Sequence, residues 1–168
     1  MRNRNSRSGS WPLPGDVVDA ATRSRMMAGI KGKNTKPELV VRRGLHASGF
    51  RFVLHDRRLP GKPDMVLPRW RAAVFVHGCF WHGHDCPLFR WPGTRQDFWR
   101  LKICRNQERD AEVEAALDQA GWRVLKIWEC SLKGTGRVGN DRVVLGAVDW
   151  LRSGERASEI RGTVYAGG

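Results

Sequence analysis

Four side chains in two stretches of this sequence have the types and spacing to hold a borderline-soft metal: Cys79, His84, Cys86 and Cys130. Cys79 and Cys86 lie seven positions apart with His84 between them, so one loop can present three ligands. Cys130 then arrives from a later segment and closes a tetrahedral set of three thiolates and one imidazole. With all four positions filled by protein, the ion would be a structural zinc rather than a catalytic one. The alternative is a set of free thiols buried as small hydrophobes. Cys104 stands outside the group, and a chain of 168 residues, 40% of them hydrophobic, needs no disulfide staples.

A second group carries carboxylates and imidazoles. Asp64 opens one apolar stretch, His77 closes the next, and His82 follows shortly after. With Glu38 on a preceding helix, this set suits a metal-dependent phosphodiesterase. Asp64 would bind a hard divalent cation, Glu38 would hold metal-bound water, and the histidines would move protons or touch phosphate. Asp110, on a later helix, can orient a histidine by accepting its ring proton. Each residue also has a plain structural reading: Asp64 as a turn cap after Pro63, Glu38 as a helix-capping acid, His77 as a satisfied core residue. His46 and His55 are expected in surface or packing roles.

Phe80 and Trp81 sit between a candidate zinc ligand and a candidate catalytic histidine. Held on a metal-fixed loop, they are either core residues or wedges that enter DNA and partly unstack it. Trp91 and Trp99 flank a segment with Arg90, Arg95 and Arg100, which suits a surface facing phosphates.

The balance of charge points to the same partner. Thirty Lys and Arg against seventeen Asp and Glu leave a formal charge of +13 and a pI near 10.8, which favours a polyanion. No apolar run of membrane-spanning length exists and no signal-peptide pattern opens the chain, so a cytoplasmic, nucleoid-associated protein with no membrane partner is expected.

These residues need elements to position them. Thr35-Lys36-Pro37-Glu38 is a helix start, with a hydroxyl cap, an early proline and a carboxylate at the third position, and Gly49 is placed to end that helix. Short strands are expected at 50–54, 63–67 and 72–76, a basic turn at 57–62, and a compact loop from 77 to 87. A helix from near Thr94 or Arg95 runs toward Gln119, continuous or with a break, and a strand follows at 122–128. A last helix is expected around 142–151. Helices packed on a small mixed sheet account for this order best. The domain is expected at 23–151, with a flexible basic arm at 1–22 and a flexible tail at 152–168.

The run Val76-His77-Gly78-Cys79-Phe80-Trp81-His82-Gly83-His84-Asp85-Cys86 resembles the very short patch repair endonucleases, as do Thr94-Arg95 and Phe98-Trp99 downstream. The same is true of Thr35-Lys36-Pro37-Glu38, of Pro60-Gly61-Lys62-Pro63-Asp64, and of Asn106 with Glu108-Arg109-Asp110. Gly121-Trp122-Arg123-Val124-Leu125, leading to Trp128-Glu129-Cys130, completes the likeness, which spans residues 23–132.

The resemblance implies an α/β restriction-endonuclease-like fold, a central mixed β-sheet flanked by helices with a structural zinc site. It further implies nicking of one strand of double-stranded DNA on the 5′ side of the thymine in a T·G mismatch, the product of 5-methylcytosine deamination, by a monomer. On this reading Asp64 and the backbone carbonyl of Val76 bind catalytic magnesium, and His82, partnered by Asp110, assists attack on phosphate. His77 is the second active-site histidine, and Glu38 lies near the metal-bound waters. Phe80 and Trp81 intercalate, and Cys79, His84, Cys86 and Cys130 bind zinc. Two positions depart from the pattern: Val76 stands where threonine is frequent, and Gly83 where some relatives carry histidine. A restriction-type endonuclease cutting matched duplex and a non-catalytic zinc-containing DNA-binding module are the competing readings.

Overall fold

The computed structural model describes residues 32–163; the expected basic arm lies outside this range. Helix α1, Lys36–Ala47, begins as its cap signal requires: the Thr35 hydroxyl accepts the Glu38 N–H at 3.4 Å, and Pro37 fits the first turn. One face of α1 carries Glu38, Val41, Arg42 and Leu45, all buried, at helical spacing. Two of them enter the core and two turn toward the site described below.

Five strands follow, β1 Val53–Leu54, β2 Met65–Leu67, β3 Ala72–His77, β4 Arg123–Trp128 and β5 Ala157–Ile160, in a single mixed sheet in that spatial order. The β1–β2 and β2–β3 pairs are antiparallel; β3–β4 and β4–β5 are parallel. Helix α2, Gln96–Gln119, makes the crossover between β3 and β4 as one continuous helix, without the break that the sequence suggested. The short α3, Glu129–Leu132, and α4, Asn140–Ser153, connect β4 to β5.

Alternation along β3 decides what goes where. Ala72 and Val74 belong to the main core, with Val76 packed against it, alongside Val41 and Leu45 of α1 and Val143, Ala147 and Leu151 of α4. Ala73 and Phe75 face the other layer, with Val124, Leu117 and Val113 of α2. Gly44 lets α1 and α4 meet closely, since a methyl group there would strike Val144. The result is a three-layer arrangement, α1 and α4 on one face and α2 on the other. Among the described residues, no helix is long and apolar enough to cross a membrane.

The tail expected at 152–168 needs correcting. Ala157–Ile160 pairs with β4 as a parallel edge strand, so the sheet continues past residue 151. Four residues with a half-exposed pattern carry too little periodicity to announce a strand.

Candidate active site and zinc centre

His77 and Trp128 are register partners at the C-terminal ends of the parallel strands β3 and β4. In open α/β sheets that edge is where ligands bind. A cleft of about 800 Å³ opens there, lined among others by Glu38, His55, Asp64, His77, His82 and Asp110.

The loop after β3 folds back at once, and the zinc set explains why. The ligand-type atoms of Cys79, His84, Cys86 and Cys130 all lie within 4.8 Å of one another. His84 Nδ1 is 3.6 Å from Cys130 Sγ. A tetrahedron with ordinary zinc–sulfur and zinc–nitrogen bonds has an S···N edge of about 3.5 Å. The donors therefore fit zinc, with Cys130 delivered from α3 at the end of β4. Without an ion, burial pushes the Cys79 and Cys130 thiols above their ordinary range. Such a cluster of buried thiols gains most from a cation that takes them as thiolates. The backbone N–H of Gly162 points at Cys130 Sγ from 3.3 Å, a bond that favours the thiolate. Sequence reasoning gave Gly162 no role. A methyl group on it would collide with the backbone carbonyls of Cys130 and Gly136, so this close approach requires glycine.

Helix α2 holds the other side of the loop. Asn106 Nδ2 donates to the Trp81 carbonyl at 2.8 Å, and Gln107 Nε2 to the His82 carbonyl at 3.0 Å. One turn on, the Asp110 carboxylate meets His82 Nδ1 in a short hydrogen bond. With its Nδ1 proton engaged, His82 keeps Nε2 for proton transfer. Gly83 adopts φ +57°, and a Cβ there would press on Ile103 and Gln107, so its missing side chain lets α2 come close.

His77 continues the β3 alternation onto the α2 face. Its ring stacks on that of His82, centroids 3.9 Å apart and planes 5° from parallel. Burial, with His82 adding to it, pushes the His77 imidazole down to about 3, so it is neutral at working pH. Its buried Nδ1 has no hydrogen-bond partner among the described residues.

Asp64 stands across the cleft. Its Oδ2 accepts the Val76 N–H at 2.7 Å, and burial pushes the carboxyl up to about 6. A hard cation would offset the cost of that buried charge, and a carboxylate with one oxygen spoken for suits magnesium, which keeps most of its waters. Val76 packs its side chain in the core while its backbone serves Asp64, so valine meets both needs. Glu38 is heavily engaged: its carboxylate takes the Thr35 hydroxyl at 3.0 Å, the Asn34 N–H at 2.9 Å and Arg42 at 2.7 Å. The surface or packing role expected of His55 is corrected, because its Nδ1 lies 3.8 Å from Asp64 Oδ1 inside the cleft. Burial, with Arg42 beside it, holds its imidazole below the ordinary value.

Phe80 and Trp81 are half-buried at the rim. Phe80 meets Trp99 edge-on at 5.2 Å, and the Lys102 ammonium lies 5.3 Å from the Trp81 ring.

The chain is similar in sequence to several known proteins. A family model described as DNA mismatch endonuclease Vsr matches residues 15–88. The Type II nicking enzyme V.XorIIP of Xanthomonas oryzae pv. oryzae is 47% identical over 121 residues, covering 72% of this chain and 89% of that protein. The DNA mismatch endonuclease Vsr of Escherichia coli is 42% identical over 143 residues, covering 85% and 91%. The Type II nicking enzyme V.NmeAIP of Neisseria meningitidis is 45% identical over 118 residues, covering 70% and 84%. The aligned segments take in nearly the whole of each relative, and on that ground the chain belongs to the Vsr family of DNA nicking endonucleases.

Proposed function

We propose that the protein hydrolyses one phosphodiester bond of double-stranded DNA, in a single strand, on the 5′ side of the thymine of a T·G mismatch left by 5-methylcytosine deamination. The observation that carries this reading is the shared cleft. Asp64 and the His82–Asp110 pair line one cleft, and Trp81 lines it with them. A relative that covers most of the chain bears the printed name of a mismatch endonuclease, which supports the substrate.

Asp64 and the Val76 carbonyl would hold magnesium, whose charge would neutralise the scissile phosphate and make bound water more acidic. Glu38, anchored by Thr35 and Arg42, gives the waters nearby a fixed acceptor. His82 transfers the proton through Nε2 while Asp110 fixes its tautomer. His77 stays neutral in the stack and offers a hydrogen-bonding edge rather than a charge. In-line attack leaves a 5′-phosphate and a 3′-hydroxyl. Phe80 and Trp81 enter the duplex beside the mismatch, where unstacking costs least. A mismatch singles out one strand, so one protomer suffices.

The test is nicking of end-labelled duplexes carrying T·G, with matched T·A and C·G controls, in magnesium and in EDTA. A single magnesium-dependent cut 5′ of the mismatched thymine is the expected result. Cleavage of both strands of the matched controls would move the protein to the restriction-type reading, and binding without any cut to the DNA-binding module.

A further inference from the structure

Arg42 and His55 lie beside Asp64; the chemistry above uses Arg42 only to anchor Glu38 and gives His55 no part. Glu38, His55 and Asp64 each bring one ligand-type atom within 4.8 Å of the others, which at first sight makes a carboxylate–imidazole–carboxylate cation triad. Arg42 argues against that. Its Nη2 is 2.9 Å from His55 Nε2. A guanidinium has donors only and stays charged, so Nε2 must accept and the ring proton must sit on Nδ1. Arg42 has little room to turn away: it is buried, Nη2 also bonds Glu38 Oε2 at 2.7 Å, and Nη1 bonds Asn34 Oδ1 at 2.5 Å.

A ring nitrogen that carries hydrogen is not a ligand. His55 Nδ1 faces Asp64 Oδ1 from 3.8 Å, while Asp64 Oδ2 is already taken by the Val76 N–H. At 3.8 Å the pair is longer than a hydrogen bond but leaves little space for a bridging water, so the protonated edge of the imidazole and the second carboxylate oxygen are neighbours in a charge–dipole contact. The backbone is bent to bring this about. His55 has φ +48°, a left-handed conformation that costs a non-glycine residue energy, and its own N–H bonds the Asp64 carbonyl at 3.4 Å.

We propose that His55 is a positioning residue for the catalytic carboxylate: Arg42 fixes its tautomer, and its Nδ1–H orients Asp64 without ligating the cation. This rests on the reading of Asp64 as the cation's anchor. Asp64 is then held from two sides, by a backbone N–H on Oδ2 and an imidazole N–H toward Oδ1, and its rotation about the Cβ–Cγ bond is restrained.

The experiment uses the full-length, zinc-loaded protein with Mn²⁺ as probe. Pulsed electron paramagnetic resonance of the wild type should show no ¹⁴N coupling that disappears in His55→Asn; a directly bound imidazole nitrogen lost in that variant would overturn the proposal. Mn²⁺ affinity and the kcat and KM for nicking are then compared in two variants. His55→Ala should weaken Mn²⁺ binding and lower kcat by about tenfold each, the scale of losing a group that orients a ligand, with KM for DNA unchanged. His55→Asn, whose side-chain N–H overlies Nδ1, should recover to within about threefold of wild type. Equal loss in both variants, or no loss in the alanine variant, would refute the role. Should both variants lose zinc or melt early, the wild-type spectrum is read beside those of His77→Ala and His82→Ala, the other imidazoles of the cleft: a bound-nitrogen coupling that survives both substitutions belongs to His55 and overturns the proposal, and the absence of such a coupling supports it. Asp64→Asn is the control: if it binds Mn²⁺ as tightly as wild type, the anchor reading has failed rather than the role of His55.

Discussion

The imidazole of His84 lies flat on the indole of Trp128, ring centroids 3.8 Å apart and planes 8° from parallel. The same indole meets His77 edge-on at 5.3 Å, and its N–H donates to Glu159 of β5 at 3.0 Å. One side of Trp128 is thus set by His84 of the zinc-type cluster, and the other packs against the histidine stack over the cleft. The Cys/His cluster and the imidazoles proposed for catalysis share a wall, so disturbing one is expected to move the other.

Loss of zinc should therefore cost activity as well as stability. Cys130→Ser leaves three ligands and an unfilled corner. We expect zinc content to fall, and stability to drop by about 3 kcal/mol or more, which for a domain of this size is about 10 °C in Tm. Intrinsic fluorescence should also change as Trp128 loses its stacking partner. Full zinc content with unchanged melting would remove Cys130 from the ligand set.

Gly162 gives a sharper test of the same corner, because it is not a ligand. In Gly162→Ala the new methyl group meets the Cys130 and Gly136 carbonyls, both backbone atoms that cannot swing aside. Overpacking of this kind costs about 1–3 kcal/mol. The N–H bond to Cys130 Sγ would lengthen, so a chelator should strip zinc from this variant faster than from wild type. Identical release rates would mean that the approach is incidental.

How much of this was legible in the residues depends on distance along the chain. The ligands Cys79, His84 and Cys86 share one loop, and the α1 cap lies within four residues, so local spacing announced both. The helix carrying Asp110 was legible and offered that carboxylate to a histidine, but its pairing with His82 in particular came from the family resemblance. Gly162 was hidden because its partner, Cys130, is 32 residues away and the bond is made by backbone. His55 was hidden because its importance comes from Arg42 on another element and from a left-handed backbone turn that no residue type advertises.

As the proposed anchor of the cation, Asp64 would link catalysis to stability with opposite signs. Its folded-state value, pushed up to about 6 by burial, lies above the ordinary carboxylate value of 3.8. A raised acid contributes stability below its unfolded value, and that contribution is lost as pH climbs toward 6. In magnesium-free buffer, Asp64→Asn should match wild type near pH 4 and be the more stable by about 3 kcal/mol above pH 6. Nicking should fall by at least about a thousandfold while binding to the T·G duplex persists. A variant that is less stable across this whole range would show that the carboxylate serves the fold instead.

Asp110→Asn separates the tautomer from the scaffold. The amide keeps the size of the carboxylate but can present its N–H to His82 and accept the opposite tautomer, leaving the proton on Nε2 where the base must be free. Stability should change by less than about 1 kcal/mol, since Asn106 and Gln107 still clamp the loop through backbone carbonyls. The kcat should nevertheless fall by about a hundredfold or more, the usual scale for losing a general base, with KM for DNA little altered. Asn106→Ala should behave in the other way, loosening the Trp81 carbonyl and raising KM more than it lowers kcat. If the two variants shift kcat and KM alike, Asp110 is simply another clamp on the loop, and the proton path runs elsewhere.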